Sequence, residues 1–195
     1  MNENKNKKPI GKIILSILLA IVVAIGVFGT IIGIKDVVRE KKRNERINNT
    51  TTEKFELGKD EKEFSTKKFS ITLTEDFEIF EDSAIEIGCV AEGIEVFVFE
   101  DTFEEGSKES KMTAMEYVEE LTVDFDGSVK ISEHNGVPFI EYIYQGENDE
   151  VVKNYKVFCY KGEDGFWMVH FITEIDYSLV YKPYIFEWLE TIEAK

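Results

Sequence analysis

Thr113-Ala114-Met115-Glu116-Tyr117-Val118-Glu119-Glu120-Leu121-Thr122-Val123-Asp124-Phe125-Asp126-Gly127 is the stretch on which the fold class turns. Thr113 and Glu116 have the spacing of a capping box, in which hydroxyl and carboxylate answer the first unpaired N–H groups of a helix. Ala114, Tyr117, Val118, Leu121 and Phe125 then recur on one face of a 3.6-residue period that Gly127 ends, so the stretch predicts an amphipathic helix. On both sides of it the period is two. Upstream, Phe69/Ile71/Leu73, Phe77/Ile79, Ile85/Ile87/Cys89 and, beyond Ala91-Glu92-Gly93, Ile94/Val96/Val98 alternate as half-buried antiparallel strands. Downstream, strand patterns resume at Val129/Ile131, Pro138–Gln145, Val151–Tyr160 and Phe166–Ile175. Asn135-Gly136, Gly146–Asp149 and Gly162–Gly165 separate them as turns. Tyr181, Tyr184/Ile185, Trp188/Leu189 and Ile192 form a second amphipathic helix with Pro183 near its first turns. Strand block, helix, strand block, helix predicts an α+β domain over residues 64–195, an antiparallel β-sheet flanked by helices.

Working outward from that domain, the chain becomes polar and then apolar. Residues 35–63 read as a basic juxtamembrane run, Lys35–Arg46, followed by a polar linker with Asn48-Asn49-Thr50-Thr51-Thr52. Residues 13–34, IILSILLAIVVAIGVFGTIIGI, carry no charge, and only Ser16 and Thr30 are polar. As a helix this run covers roughly 33 Å, enough for a hydrocarbon core of about 30 Å, and it predicts one transmembrane helix contacting membrane lipid. It is longer than the apolar region of a cleaved signal peptide, and no small-residue cleavage site follows it, so an uncleaved signal anchor is expected. No cysteine follows that would take a lipid. Ser16, Ala20, Ala24 and Gly29-x-x-x-Gly33 have the small-residue spacing through which two such helices self-associate. Residues 1–12 are a basic tail with four lysines, against six Lys/Arg just after the span. Counted literally, that charge balance favours a cytoplasmic C-terminal domain. The basic tail and signal-anchor form favour the opposite, and a single-pass cell-membrane protein with an extracytoplasmic domain is the expectation adopted, the tethered cytoplasmic adaptor being the alternative.

Composition narrows the function classes. The chain has 195 residues, 43% of them hydrophobic, too many for a disordered acidic tail, and two cysteines, too few for a disulfide scaffold. Its net charge of −16 is split: residues 1–46 carry ten positive and four negative charges, whereas the remainder carries 13 positive and 35 negative. An acidic body of this kind repels phosphate backbones, so nucleic acid is excluded as a partner.

Phe69-Ser70-Ile71-Thr72-Leu73-x-x-x-Phe77, the helix with Glu116-Tyr117-Val118, the Asn135-Gly136-Val137-Pro138 turn into an aromatic strand, and the terminal helix resemble the PsbP-like superfamily in order and spacing. The resemblance covers residues 64–195. It implies a central antiparallel sheet between helices, a PsbP-like αβα sandwich, and a binding or assembly role without catalysis. It carries over no functional residue.

The local chemistry signals are few. Thr122–Glu133 laid on a twelve-residue calcium loop places Asp124, Asp126 and Glu133 at positions 3, 5 and 12 and Gly127 at position 6. Thr122 stands where the first carboxylate belongs, and Asn135-Gly136-Val137-Pro138 blocks an exiting helix, so a helix end turning into a strand competes with this reading. His134 beside a turn and His170 inside a strand read as surface and sheet-face residues, without the Cys/His partners of a zinc site. Cys89 and Cys159 fit buried thiols or a cross-strand bridge. The acidic groups Glu104-Glu105, Glu119-Glu120 and Glu147/Asp149/Glu150 read as solvated. The strand aromatics Tyr142, Tyr144, Tyr155, Phe158, Tyr160, Phe166 and Trp167 read as core, or as a protein-binding face wherever exposed. No cofactor and no enzymatic activity are expected. The expected function is a membrane-anchored, acidic binding or assembly module for a protein partner, the alternative being a weak calcium-responsive module.

Overall fold

A computed structural model describes residues 57–123, 125, 128–145 and 151–195. The transmembrane span 13–34, the basic run, Asp124, Asp126 and Gly127 lie outside the described residues. Among the described residues, no helix is long and apolar enough to cross a membrane.

The elements follow the period changes. Strands β1 (Glu61–Ser65), β2 (Phe69–Thr74), β3 (Glu78–Ile79), β4 (Ile87–Ala91) and β5 (Ile94–Thr102) precede a short helix α1 (Lys108–Lys111) and helix α2 (Ala114–Thr122). Then come β6 (Lys130–His134), β7 (Val137–Tyr144), β8 (Lys153–Lys161), β9 (Gly165–Glu174), a 3-10 turn Ile175–Tyr177, α3 (Ser178–Leu189) and β10 (Glu193–Ala194). The capping box of α2 forms as its sequence dictates. The Thr113 hydroxyl accepts from Glu116 N at 3.2 Å, and the Glu116 carboxylate accepts from Thr113 N at 2.8 Å. Asn135 and Gly136 have φ of 50° and 82°, as a two-residue turn of the primed type requires between β6 and β7.

Seven strands pair antiparallel in the order β3-β4-β5-β9-β8-β7-β6, and β1-β2-β10 make a separate three-stranded sheet. Tyr117 and Val118 of α2 pack on one face of the large sheet with Met112, Ile140, Val157, Cys159, Phe166 and Met168. On the other face lie α3 and the small sheet, with Trp188 edge-on to Phe77 at 5.3 Å and stacked on Phe171 at 6.2 Å. The Tyr181 hydroxyl donates to the Glu92 carbonyl at 2.5 Å, tying the start of α3 to the β4–β5 turn. At Gly93 (φ 74°) in that turn, an added Cβ would sit 2.6 Å from the Tyr177 ring, so both backbone and space demand glycine.

Three sequence expectations change. The single central sheet is two sheets, because β10 returns to pair with β2 through Glu193↔Ser70 and Ala194↔Phe69, so the layer opposite α2 is mixed strand and helix. The first strand begins at Glu61, inside the stretch read as linker; only Phe64 of its five residues is buried, which leaves almost no apolar alternation to read. Strand β9 is buried over nine of its ten residues rather than on alternate positions, because both faces of the large sheet are covered at its centre. Pro183 stands at the sixth position of α3, within its second turn as expected, and leaves the Leu179 carbonyl without its intrahelical donor on the helix's solvent side.

Candidate functional site

Two open strand edges meet at a surface depression. Strand β1 is the edge of the small sheet and β3 the edge of the large one, and between them lies a cleft of about 620 Å3 lined by Glu63–Ser65 and by residues from Ile79 to Gly88. Its far wall is the connection from β3 to β4. Asp82 organises that connection, its carboxylate accepting from Ala84 N at 2.9 Å and its carbonyl from Ile85 N at 3.2 Å. Phe80 N donates to the Gly88 carbonyl at 2.7 Å. A Cβ on Gly88 would come within 2.5 Å of the Phe80 carbonyl, so glycine is what lets the wall close on β4. Phe80 and Ile85 then fold against the buried cluster of Phe97, Tyr155 and Ile172.

The lining has two chemistries. Phe64 and Ile87 are buried beneath it, while Ile79 stands 64% exposed on the edge strand. Around this apolar floor stand four carboxylates, Glu63, Glu81, Asp82 and Glu86, and no lysine or arginine lines the cleft. Among the described residues none of the four is in an ion pair. The nearby Lys62 ammonium donates to the Phe77 carbonyl at 3.3 Å and lies 4.8 Å above the Phe64 ring. Nothing in the chain's sequence pattern marked this site, because it joins edges from two sheets. The only local signal is an exposed isoleucine among acids in Glu78–Glu86.

A second polar cluster sits under the α3 face of the large sheet. Lys156 on β8 is buried, its ammonium 2.6 Å from Glu141 on β7 and donating to Asn154 Oδ1 at 2.8 Å. Asn154 Nδ2 also reaches Glu141 at 3.4 Å, and Thr173 donates to the Asn154 carbonyl at 3.4 Å. Burial pushes the Glu141 carboxyl up, but the hydrogen bond and charge of Lys156 outweigh it and hold the group below its ordinary range. The Lys156 donors and the Glu141 acceptors satisfy one another, an arrangement that organises packing and presents neither nucleophile nor free base.

The residues singled out in the sequence are dispersed. Glu133 lies exposed in β6 opposite Pro138, at the far edge of the large sheet from β3. Among the described residues no group of three or more His, Cys, Asp or Glu is placed to hold a metal. His134 is half-buried with its ring stacked 4.2 Å from Phe186, and His170 is buried beside Phe99. The aromatic strands form core, not a docking face: Tyr155, Phe158, Phe166 and Trp167 are all buried, and Tyr144 alone of the set is exposed.

The cross-strand bridge is overturned by register. Cys89 lies in the row Val96–Phe171–Lys156, and Cys159 is an odd number of residues from Lys156 along β8, so the two thiols project from opposite faces. Both are free and buried, and burial pushes each thiol up to about 12. With almost no thiolate at neutral pH, neither reacts appreciably. A thiol-colour assay at pH 8 is expected to stay near baseline on the native chain and to titrate both cysteines once denaturant is added.

The fold is similar to that of a Bacteroides thetaiotaomicron protein solved by crystallography at 1.50 Å, with a TM-score of 0.52 and 14% identity over 72% of this chain. That likeness is one of fold, and this chain spans about half (49%) of the other's length. The solution structure of cyanobacterial PsbP (CyanoP) from Synechocystis sp. PCC 6803 also matches, with a TM-score of 0.45 and 8% identity over 75% of this chain and 98% of that one. Antiparallel sheets flanked by few helices are the α+β class that the sequence pattern predicts. No family model and no curated protein matches the sequence.

Proposed function

We propose that the chain is a membrane-anchored, non-enzymatic binding module that presents its acidic domain outside the cytoplasm to a protein partner. The observation that carries the reading is the cleft between β1 and β3. Its apolar floor, and carboxylates that make no ion pair among the described residues, have the composition of a recognition surface. The apolar run at 13–34 supplies the anchor, and the stretch between it and β1 gives the domain reach.

The test has two parts, both on the full chain in a bacterial host. Fusion of alkaline phosphatase or green fluorescent protein after Lys195 reads topology, with phosphatase activity expected; fluorescence alone would place the domain in the cytoplasm. A photo-crosslinking side chain at Ile79 is expected to trap a discrete protein in intact cells that the same probe at Glu133 does not trap. Identical patterns from both positions would count against a module acting through the cleft.

A further inference from the structure

Resting on that reading, we propose that the cleft between β1 and β3 takes an extended polypeptide segment of a partner protein, in which cationic side chains alternate with apolar ones. Three observations carry it. First, a strand with an unpaired edge among the described residues borders the cleft on each side, β1 pairing only with β2 and β3 only with β4, and the connection that follows β3 completes the far wall. An open edge offers main-chain donors and acceptors to an incoming strand, and alternate side chains of that strand then fall to opposite sides. Second, the floor is apolar where one set of those side chains would arrive. Ile79 is exposed on the edge, with Phe80 and Ile85 half-buried behind it. Third, every charged group of the lining is a carboxylate, Glu63 on one wall and Glu81, Asp82 and Glu86 on the other, none of them in an ion pair among the described residues.

Charge decides among occupants. A second copy would bring its own acidic body, 35 negative against 13 positive charges after residue 46, and the same acidic edges, which is how sheet proteins keep like edges apart. An anionic lipid surface meets the same repulsion. A basic strand neutralises the rim and covers Ile79.

The probe is a fluorescein-labelled synthetic peptide, Lys-Val-Lys-Leu-Lys-Val-Lys, titrated by anisotropy against the full chain in detergent micelles at 150 mM salt. Saturable binding is expected, and the charge-reversed peptide with glutamate at each lysine is expected not to bind. The double variant Glu63→Lys/Glu86→Lys weakens binding by about tenfold or more, whereas Glu133→Lys/Glu187→Lys, with the same net-charge change away from the cleft, leaves it within about twofold. Ile79→Ser weakens it independently of charge. A peptide N-methylated at alternate residues, which keeps its cations but loses half its main-chain donors, also binds more weakly. Equal loss in the two double variants would reduce the effect to diffuse attraction by the acidic body and overturn the proposal, as would full affinity of the N-methylated peptide. No binding to the folded wild-type chain overturns it as well. If the Ile79 crosslink survives that result, the binding-module reading stands and only the basic strand falls; if the crosslink is also absent, both fall.

Discussion

Glu141→Ala is expected to cost roughly 3–5 kcal/mol, far more than Lys156→Met, although the two residues are partners in one ion pair. The asymmetry follows from unequal burial. The Lys156 side chain is 6% exposed and the Glu141 side chain 30%. Removing the carboxylate strands an ammonium on the α3 face of the sheet with, among the described residues, only the Asn154 amide oxygen at 2.8 Å to answer it. Removing the ammonium leaves a carboxylate that water reaches, and methionine keeps most of the stem's apolar contact, so the loss is about 1 kcal/mol. Replacing both, as Glu141→Leu/Lys156→Met, recovers most of the Glu141→Ala cost, because no charge is then left unpaired. Urea midpoints of the four chains at pH 7 measure this. Equal costs for the two single variants would mean that mutual attraction, and not desolvation of the lysine, governs the cluster. The pair also has a pH signature. Glu141 is held below its ordinary value, so its contribution is present above that value and is lost as the pH falls through the lowered one.

What the sequence revealed and what it concealed separate by range. The capping box at Thr113/Glu116 and the Asn135-Gly136 turn form within four residues, and local hydrogen bonding or φ preference is enough to specify them. Strand alternation puts Asn154 and Lys156 on one face of β8 and Tyr155 and Val157 on the other. It could not tell that the polar face is roofed, because the roof is α3, starting more than twenty residues later. The same limit hid the small sheet. Its third strand, Glu193–Ala194, is two residues long and pairs with β2 more than 120 residues earlier in the chain. The cleft was illegible for a related reason. Glu63 and Ile79 each read locally as ordinary surface or strand residues, and they become a site when two unpaired edges from different sheets face each other. The calcium reading rests on spacing along the chain, and its Asp124 and Asp126 lie outside the described residues. Glu133, at the twelfth position of that loop, lies in strand β6, where a calcium loop would be entering its second helix.

His170 places a titration at the centre of the large sheet, and acid is expected to find it. Its registered neighbours are Phe97 on β5 and Val157 on β8, with the Phe99 ring 5.1 Å away, all apolar. Burial in that setting pushes the imidazole down to about 4. In the unfolded chain it has its ordinary value near 6.5, so between those values the unfolded state binds a proton that the folded state refuses. A base held neutral in this way costs nothing above pH 6.5, and stability falls as the pH drops from there towards 4, below which the loss has reached its full extent. At pH 5 the difference amounts to roughly 2 kcal/mol relative to pH 7.5. Carboxylates across the acidic body titrate in the same range, so the measurement is a difference: urea stability at pH 7.5 and 5.0 for the wild type and for His170→Leu, in which every other group is common to both. The variant is expected to lose about 2 kcal/mol less than the wild type across that interval, even if leucine changes its stability at pH 7.5. Parallel pH profiles would show that the imidazole reaches water or a partner in the folded state. An NMR titration of the His170 ring carbon decides the matter without substitution, because a resonance that stays neutral down to pH 5 requires the lowered value, and one that titrates near 6.5 rules it out.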